Sequence, residues 1–226
     1  MSNAVIVGAG AGLSASLARA CAAAGMRVAL AARNVGKLEG LKKEIGASLH
    51  ACDATDPKQV EALFAALEVP ELVVYNASYR ARGPFIGLDA AEVWRTLQVS
   101  AYGGFLVAQA AAKRMLERGA GSLFFTGASA SVKGYAESAP FAMGKFALRG
   151  LAQSLARELG PKGIHVAHFV IDGGILRKGG DPRAAARGED GMLDPDAIAQ
   201  TYLDVHRQHR SAWSFEVDLR PWVERF

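Results

Sequence analysis

Asn3-Ala4-Val5-Ile6-Val7-Gly8-Ala9-Gly10-Ala11-Gly12-Leu13-Ser14 opens with an apolar run, breaks into three alternate glycines and continues into an alanine-rich stretch. The run through Val7 is short and rich in Val and Ile, which suits a buried strand. Leu13 to Ala24 holds neither Gly nor Pro and predicts a helix ending at Gly25. A strand that turns through glycine into a helix leaves unpaired N–H groups and the positive end of the helix dipole facing the turn. Gly8 permits the tight turn, and Gly10 and Gly12 carry no side chain, so a pyrophosphate can approach their backbone. The stretch therefore predicts a phosphate cradle contacted by Gly8, Gly10, Gly12 and Leu13.

Outward from this cradle, short apolar runs alternate with helical periodicity. Arg27–Ala32, Ser48–Cys52, Glu71–Asn76, Ser122–Thr126 and Ile164–Ile171 read as strands, with Phe215–Leu219 as a final one. Between them Val35–Ile45, a segment opened by Asp56-Pro57, Ala90–Arg118, Phe141–Leu159 and Asp196–His209 read as helices. Gly103-Gly104 interrupts the longest of these. Strict alternation predicts an α/β fold: one doubly wound parallel sheet of about seven strands, Rossmann-type, covered on both faces and forming a single domain over 1–226. Ligands in such sheets sit beyond the carboxyl ends of the strands, where strand order reverses.

Composition narrows the function classes. Half of the 226 residues are hydrophobic, enough for a substantial core. The net charge of +4 is scattered, which points away from nucleic acid. Apolar runs are too short and too often broken by Gly or charge to span a bilayer, and the first residues lack a basic region followed by an apolar stretch. Cys21 and Cys52 lie among apolar residues and read as buried thiols in a reducing compartment, so the cytoplasm is expected. His206 and His209 share a helical face, but no acid or cysteine completes a metal set, and no metal is expected.

The end of the second strand chooses the dinucleotide. An acid there suits the ribose hydroxyls of NAD; this chain has Ala31-Ala32-Arg33-Asn34. A guanidinium at Arg33 pairs with a ribose 2′-phosphate, so NADP(H) is the expected cofactor, with NAD(H) the alternative. Lys37 is a second cation nearby.

With these residues in hand the chain resembles the short-chain dehydrogenase/reductase family over nearly its whole length. The family's glycine loop corresponds to Gly8 and Gly12-Leu13-Ser14, with Ser14 in place of the last glycine. Its acid after the third strand corresponds to Asp53, which the resemblance implies contacts the adenine. Its Asn-Asn-Ala-Gly segment corresponds to Tyr75-Asn76-Ala77-Ser78, its Tyr-x-x-x-Lys lysine to Lys145, and its Pro-Gly turn to Asp172-Gly173, with Ile175 where the backbone meets the carboxamide. The resemblance thus implies that Asn76, Ala77, Lys145 and Ile175 also bind cofactor.

Three positions depart from the family's usual Asn, Ser, Tyr and Lys set. Phe141 stands at the tyrosine, Ala128 at the serine and Ser100 at the asparagine; Lys145 alone is kept. Phe141 has no hydroxyl and can act neither as acid nor as base. General acid–base catalysis is worth roughly 10²–10⁴-fold. Two readings follow: an oxidoreductase acting on a carbonyl or alcohol by a non-standard mechanism, or a scaffold or sensor that binds NADP(H) without transferring hydride. For the first, Lys145, Ser129 and Tyr135 are the candidate catalytic residues.

The remaining expectations concern the surface. Residues 173–195 combine glycine and charge and predict a mobile loop, placed where the family carries its substrate lid. The resemblance implies a homodimer or homotetramer through the helices near 90–118 and 141–159. Residues 213–226 are aromatic and amphipathic and predict a last strand and a tail.

Overall fold

The computed structural model describes residues 2–224; Met1, Arg225 and Phe226, the last two belonging to the predicted tail, lie outside the described residues. Seven strands, β1 (Asn3–Val7), β2 (Arg27–Ala32), β3 (Ser48–Ala51), β4 (Leu72–Tyr75), β5 (Gly121–Thr126), β6 (Ile164–Ile171) and β7 (Glu216–Leu219), form one sheet in the order β3-β2-β1-β4-β5-β6-β7. Every pairing is parallel. Strand order reverses between β1 and β4, where Val7 is in register with Ala31 on one side and Tyr75 on the other. The fold is the single-domain α/β Rossmann-type architecture that the alternation predicted.

Helices α1 (Leu13–Ala23), α2 (Glu39–Ile45), α3 (Pro57–Ala66), α4 (Ala90–Leu97), α5 (Gly103–Arg118), α6 (Ala139–Leu159), α7 (Ala184–Arg187) and α8 (Pro195–His206) make the connections. Side-chain alternation along β1 divides the core. Ala4 and Ile6 join Leu17, Leu30, Phe169, Ile198 and Tyr202 beneath α1 and α8. Val5 and Val7 join Phe64, Tyr75, Val107, Met115 and Leu148 beneath α3, α5 and α6. No helix among the described residues is long and apolar enough to cross a membrane.

Most boundaries moved by a residue or two, and three differences have a physical cause. Asn34 Oδ1 accepts the Gly36 N–H at 3.1 Å and starts a 3₁₀ turn over Gly36–Leu38, so α2 begins at Glu39 rather than Val35. The predicted helix over 90–118 is divided by a π-helical turn, Gln98–Tyr102, just before the glycine pair. Gly103 and Gly104 do not loosen the helix. They let it press on the sheet: a Cβ on Gly103 would lie 2.4 Å from the Tyr75 hydroxyl, and one on Gly104 2.6 Å from Leu148 Cδ1. Finally, α8 starts at Pro195 because Asp194 caps it through the Asp196 N–H, and it stops at His206, leaving His209 to cap a separate 3₁₀ turn. His206 and His209 therefore share no helical face.

Gly8 fixes the geometry at the reversal. It has a φ of +83°, and a Cβ there would lie 2.3 Å from the Ala77 nitrogen. Around Gly10 nothing approaches within 4 Å of an added Cβ. Gly8→Ala is expected to lower stability in urea denaturation by about 2 kcal/mol or more, whereas Gly10→Ala stays within about 0.5 kcal/mol. Equal losses would contradict this account of the turn.

Candidate functional site: two hollows at the strand-order reversal

Two hollows open beyond the carboxyl ends of the strands. The first, of about 440 Å³, is lined by the turn Gly8-Ala9-Gly10, by Arg33, Asn34 and Lys37 after β2, by Asp53 after β3 and by Asn76, Ala77 and Ser78 after β4. The second, of about 410 Å³, is lined by Arg80 and Arg82 farther along the same loop, by Ala128, Ser129, Tyr135 and Ser138 after β5, by Phe141, and by Asp172 and Gly173 after β6. The loop following β4 thus runs from one hollow to the other.

The first hollow draws together most of the predicted cofactor residues. Leu13 stands at the start of α1 with its side chain in the core. Ser14, where the family has glycine, is buried and joins two loops: Asn76 Nδ2 donates to Ser14 Oγ at 2.7 Å, and Ser14 Oγ donates to the Gly8 carbonyl at 3.2 Å. One Asp53 oxygen accepts from the Thr55 N–H at 2.9 Å and its hydroxyl at 2.8 Å, which holds the turn at the rim. Among the described residues Arg33 forms no ion pair, and the lining near it and Lys37 contains no acid except Asp53. Ile175 falls outside both linings. It bridges Leu193, and its carbonyl accepts from Arg183 Nη2 at 2.8 Å. Around it the predicted loop 173–195 carries the one-turn helix α7.

Lys145 and Phe141 both lie on α6; Phe141 lines the second hollow, and Lys145, one turn on, falls outside both linings. Lys145 is buried, and its Nζ donates to the Thr126 carbonyl at 2.7 Å. Burial, and then the positive charge of Arg80, push its ammonium pKa down to about 7. Gly144 lets α6 reach this place, since a Cβ there would lie 2.8 Å from Ser100 Cβ. Ser100 is buried outside the lining and donates to the Tyr79 carbonyl at 3.3 Å. Gly127 is required because a Cβ would lie 2.3 Å from Nε2 of the buried His168. Ser129 and Tyr135 both reach the lining, and Tyr135 is about half exposed (48%).

Sequence reading missed Arg80. Its guanidinium carbon sits 3.8 Å from the Phe141 ring centroid, while Lys145 Nζ lies 5.8 Å from the same centroid. Two cations therefore lie within reach of the same aromatic ring. The alternation Arg80-Ala81-Arg82 was the available signal, because an extended segment places both guanidinium groups on one side.

The short chain dehydrogenase family model matches residues 2–176, and the chain belongs to that family of oxidoreductases. It is 33% identical to a short-chain dehydrogenase from Rhodopseudomonas palustris, with a TM-score of 0.84 over 98% of this chain and 99% of that one. A metagenomic short-chain oxidoreductase crystallised in complex with NADP is 27% identical, with a TM-score of 0.83 over 98% of both chains. A D-threitol dehydrogenase from Mycolicibacterium smegmatis is 29% identical over 172 residues; the match covers 72% of this chain and 66% of the relative, slightly under two thirds of its length.

The low Lys145 pKa has a consequence for stability. With a folded value of about 7 against the ordinary 10.5, the folded protein binds fewer protons than the unfolded chain between these limits. Stability therefore rises with pH across that window, by up to ~1.4 kcal/mol per pH unit from this one group. Denaturation of wild type and Lys145→Met at pH 7 and pH 10 should show the wild type gaining on the variant at the higher pH. Parallel profiles would mean that Lys145 is charged in its pocket.

Proposed function

We propose that the chain is an NADP(H)-dependent oxidoreductase of a carbonyl or alcohol, working without a tyrosine hydroxyl. The observation that carries this reading is the loop after β4, which borders both the hollow holding Gly8, Gly10 and Arg33 and the hollow holding Phe141, Ser129 and Tyr135.

The residues fit a dinucleotide. Space stays open where a Cβ on Gly10 or Gly12 would stand, as a pyrophosphate requires. Arg33 and Lys37 present positive charge for a 2′-phosphate, and Asp53, Asn76 and Ala77 border the remainder of the cleft. The NADP complex of the metagenomic relative supports the same choice. When bound, the dinucleotide supplies or accepts a hydride at its nicotinamide.

This chain's own groups then handle charge and protons. Lys145, with a pKa of about 7, holds or releases a proton at Nζ near neutrality. Ser129 and Tyr135 line the substrate hollow and offer hydroxyls to a carbonyl oxygen. Phe141 contributes shape and excludes water. A binding scaffold without hydride transfer would leave this polar second hollow without a role. Residues 173–195, which bring Arg187 to the hollow, serve as its movable cover. A homo-oligomer fits the exposed aromatic face formed by Trp94 on α4, Tyr102 and Phe105, which stack at 6.2 Å, and Phe146 on α6. The buried free thiols of Cys21 and Cys52 suit a cytoplasmic location.

Nicotinamide fluorescence titration tests the cofactor. NADPH is expected to bind in the micromolar range, and Arg33→Ala to weaken it about tenfold or more with little effect on NADH. Equal weakening of both would remove the 2′-phosphate assignment, and no binding of either would remove the oxidoreductase reading. Phe141→Tyr is expected to raise turnover of at least one member of a broad carbonyl panel. No gain anywhere would place the main defect at Ala128 instead.

A further inference from the structure

Arg80 and Arg82 stand side by side on the wall of the second hollow. Among the described residues neither forms an ion pair, although the hollow has three acids on its wall, Glu137, Asp172 and Glu224. Two of these are engaged elsewhere. Asp172 lies 3.7 Å from Lys133 and 3.8 Å from Arg220, and Glu224 lies 3.8 Å from Arg187. Glu137 makes no ion pair with either arginine, and its backbone carbonyl accepts the Gly83 N–H at 3.1 Å.

The segment bearing the two cations is fixed in place. Ser100 Oγ holds the Tyr79 carbonyl, the Ala81 N–H donates to Thr96 Oγ1 at 3.4 Å, and Gly83 is tied to the far wall at Glu137. Tyr79 donates its hydroxyl to Glu92, and the Arg95 guanidinium covers the Tyr79 ring at 4.3 Å, so the nearest acid of α4 is turned away. Phe141 seats the Arg80 guanidinium from below. Burial and the like charge of Arg82 push the Arg80 pKa down, so holding these groups together costs free energy in the absence of a counter-ion. The Arg80 guanidinium, seated on Phe141, and the exposed Arg82 beside it offer planar donor sets that suit carboxylate or phosphate oxygens.

We infer that the substrate of this hollow is a carbonyl or alcohol compound bearing a negative charge, a carboxylate or a phosphate ester, and that Arg80 and Arg82 bind that charge beside Phe141. This rests on the oxidoreductase reading for the reaction but not for the binding.

Calorimetric titration with matched probes tests the inference. The pairs are levulinate with its methyl ester, phenylglyoxylate with its methyl ester, and dihydroxyacetone phosphate with dihydroxyacetone. The protein is saturated with NADP⁺ so that Arg33 is occupied. The same titrations on cofactor-free Arg33→Ala protein keep the result readable if the chain binds no dinucleotide. At least one anion is expected to bind about tenfold more tightly than its neutral twin, and the ratio to fall to about threefold or less in the Arg80→Gln/Arg82→Gln double variant with its fold intact by circular dichroism. Preference in the first two pairs identifies a carboxylate and in the third a phosphate. Absence of preference in every pair, including absence of binding, overturns the inference, as does a ratio unchanged in the double variant. Hydride transfer is followed separately. Anion preference without turnover leaves this site standing and removes the oxidoreductase reading; turnover of neutral probes without anion preference does the reverse.

Discussion

Gly8 and Ala77 touch backbone to backbone across the reversal between β1 and β4, and the rest of the site depends on that contact. A side chain at residue 8 would displace the Ala77 nitrogen, so the turns after the two strands could not close on each other. Their closure brings Asn76 to Ser14, and the hydrogen bond between them holds the start of α1 against the loop after β4. That loop then continues past Ser78 to Arg80 and Arg82. One backbone contact therefore sets the spacing between the glycine turn and the second hollow.

The second hollow is an electrostatic compromise. Lys145 is buried with the Thr126 carbonyl as its hydrogen-bond acceptor, and both it and the Arg80 guanidinium lie near the Phe141 ring, at 5.8 and 3.8 Å from its centroid. In water two such cations would repel weakly; inside the protein the ring's electron-rich faces offset part of the repulsion. Burial first, and then the Arg80 charge, lowers the pKa of Lys145. A tyrosine at residue 141 would add a hydroxyl to this stack. Phenylalanine leaves the ring face in place and carries no proton donor; the side-chain donors on the wall of the hollow include Arg80, Arg82, Ser129, Tyr135 and Ser138.

Much of the fold was legible because parallel-sheet strands announce themselves as short apolar runs and helices as capped periodic segments. Asp56-Pro57 opened α3 as read, with Asp56 accepting from the Lys58 and Gln59 N–H groups. Asp194-Pro195 carried the same signal and was passed over in favour of a start at Asp196. The strand–turn–helix at Gly8 was legible because glycine spacing is local. What escaped was tertiary: Ser14 reads as a lost glycine until Asn76 is seen beside it, and Gly103-Gly104 reads as a helix breaker until Tyr75 and Leu148 are seen pressed against it. Arg80 reads as a solvated loop charge until α6 brings Phe141 beneath it. Ile175, a position carried over from the family, is engaged with Leu193 and Arg183 and lies outside the lining of either hollow.

Transfer of isotope tests the central claim most directly, because cofactor binding alone does not distinguish an enzyme from a scaffold. The protein is incubated with NADPH deuterated at C4 of the nicotinamide, each epimer in turn, and a mixture of neutral and anionic carbonyl compounds, and the products are read by mass spectrometry. The account predicts deuterium on the carbinol carbon of at least one product from one epimer and not from the other. Bound NADPH that retains its deuterium against every carbonyl offered would contradict it.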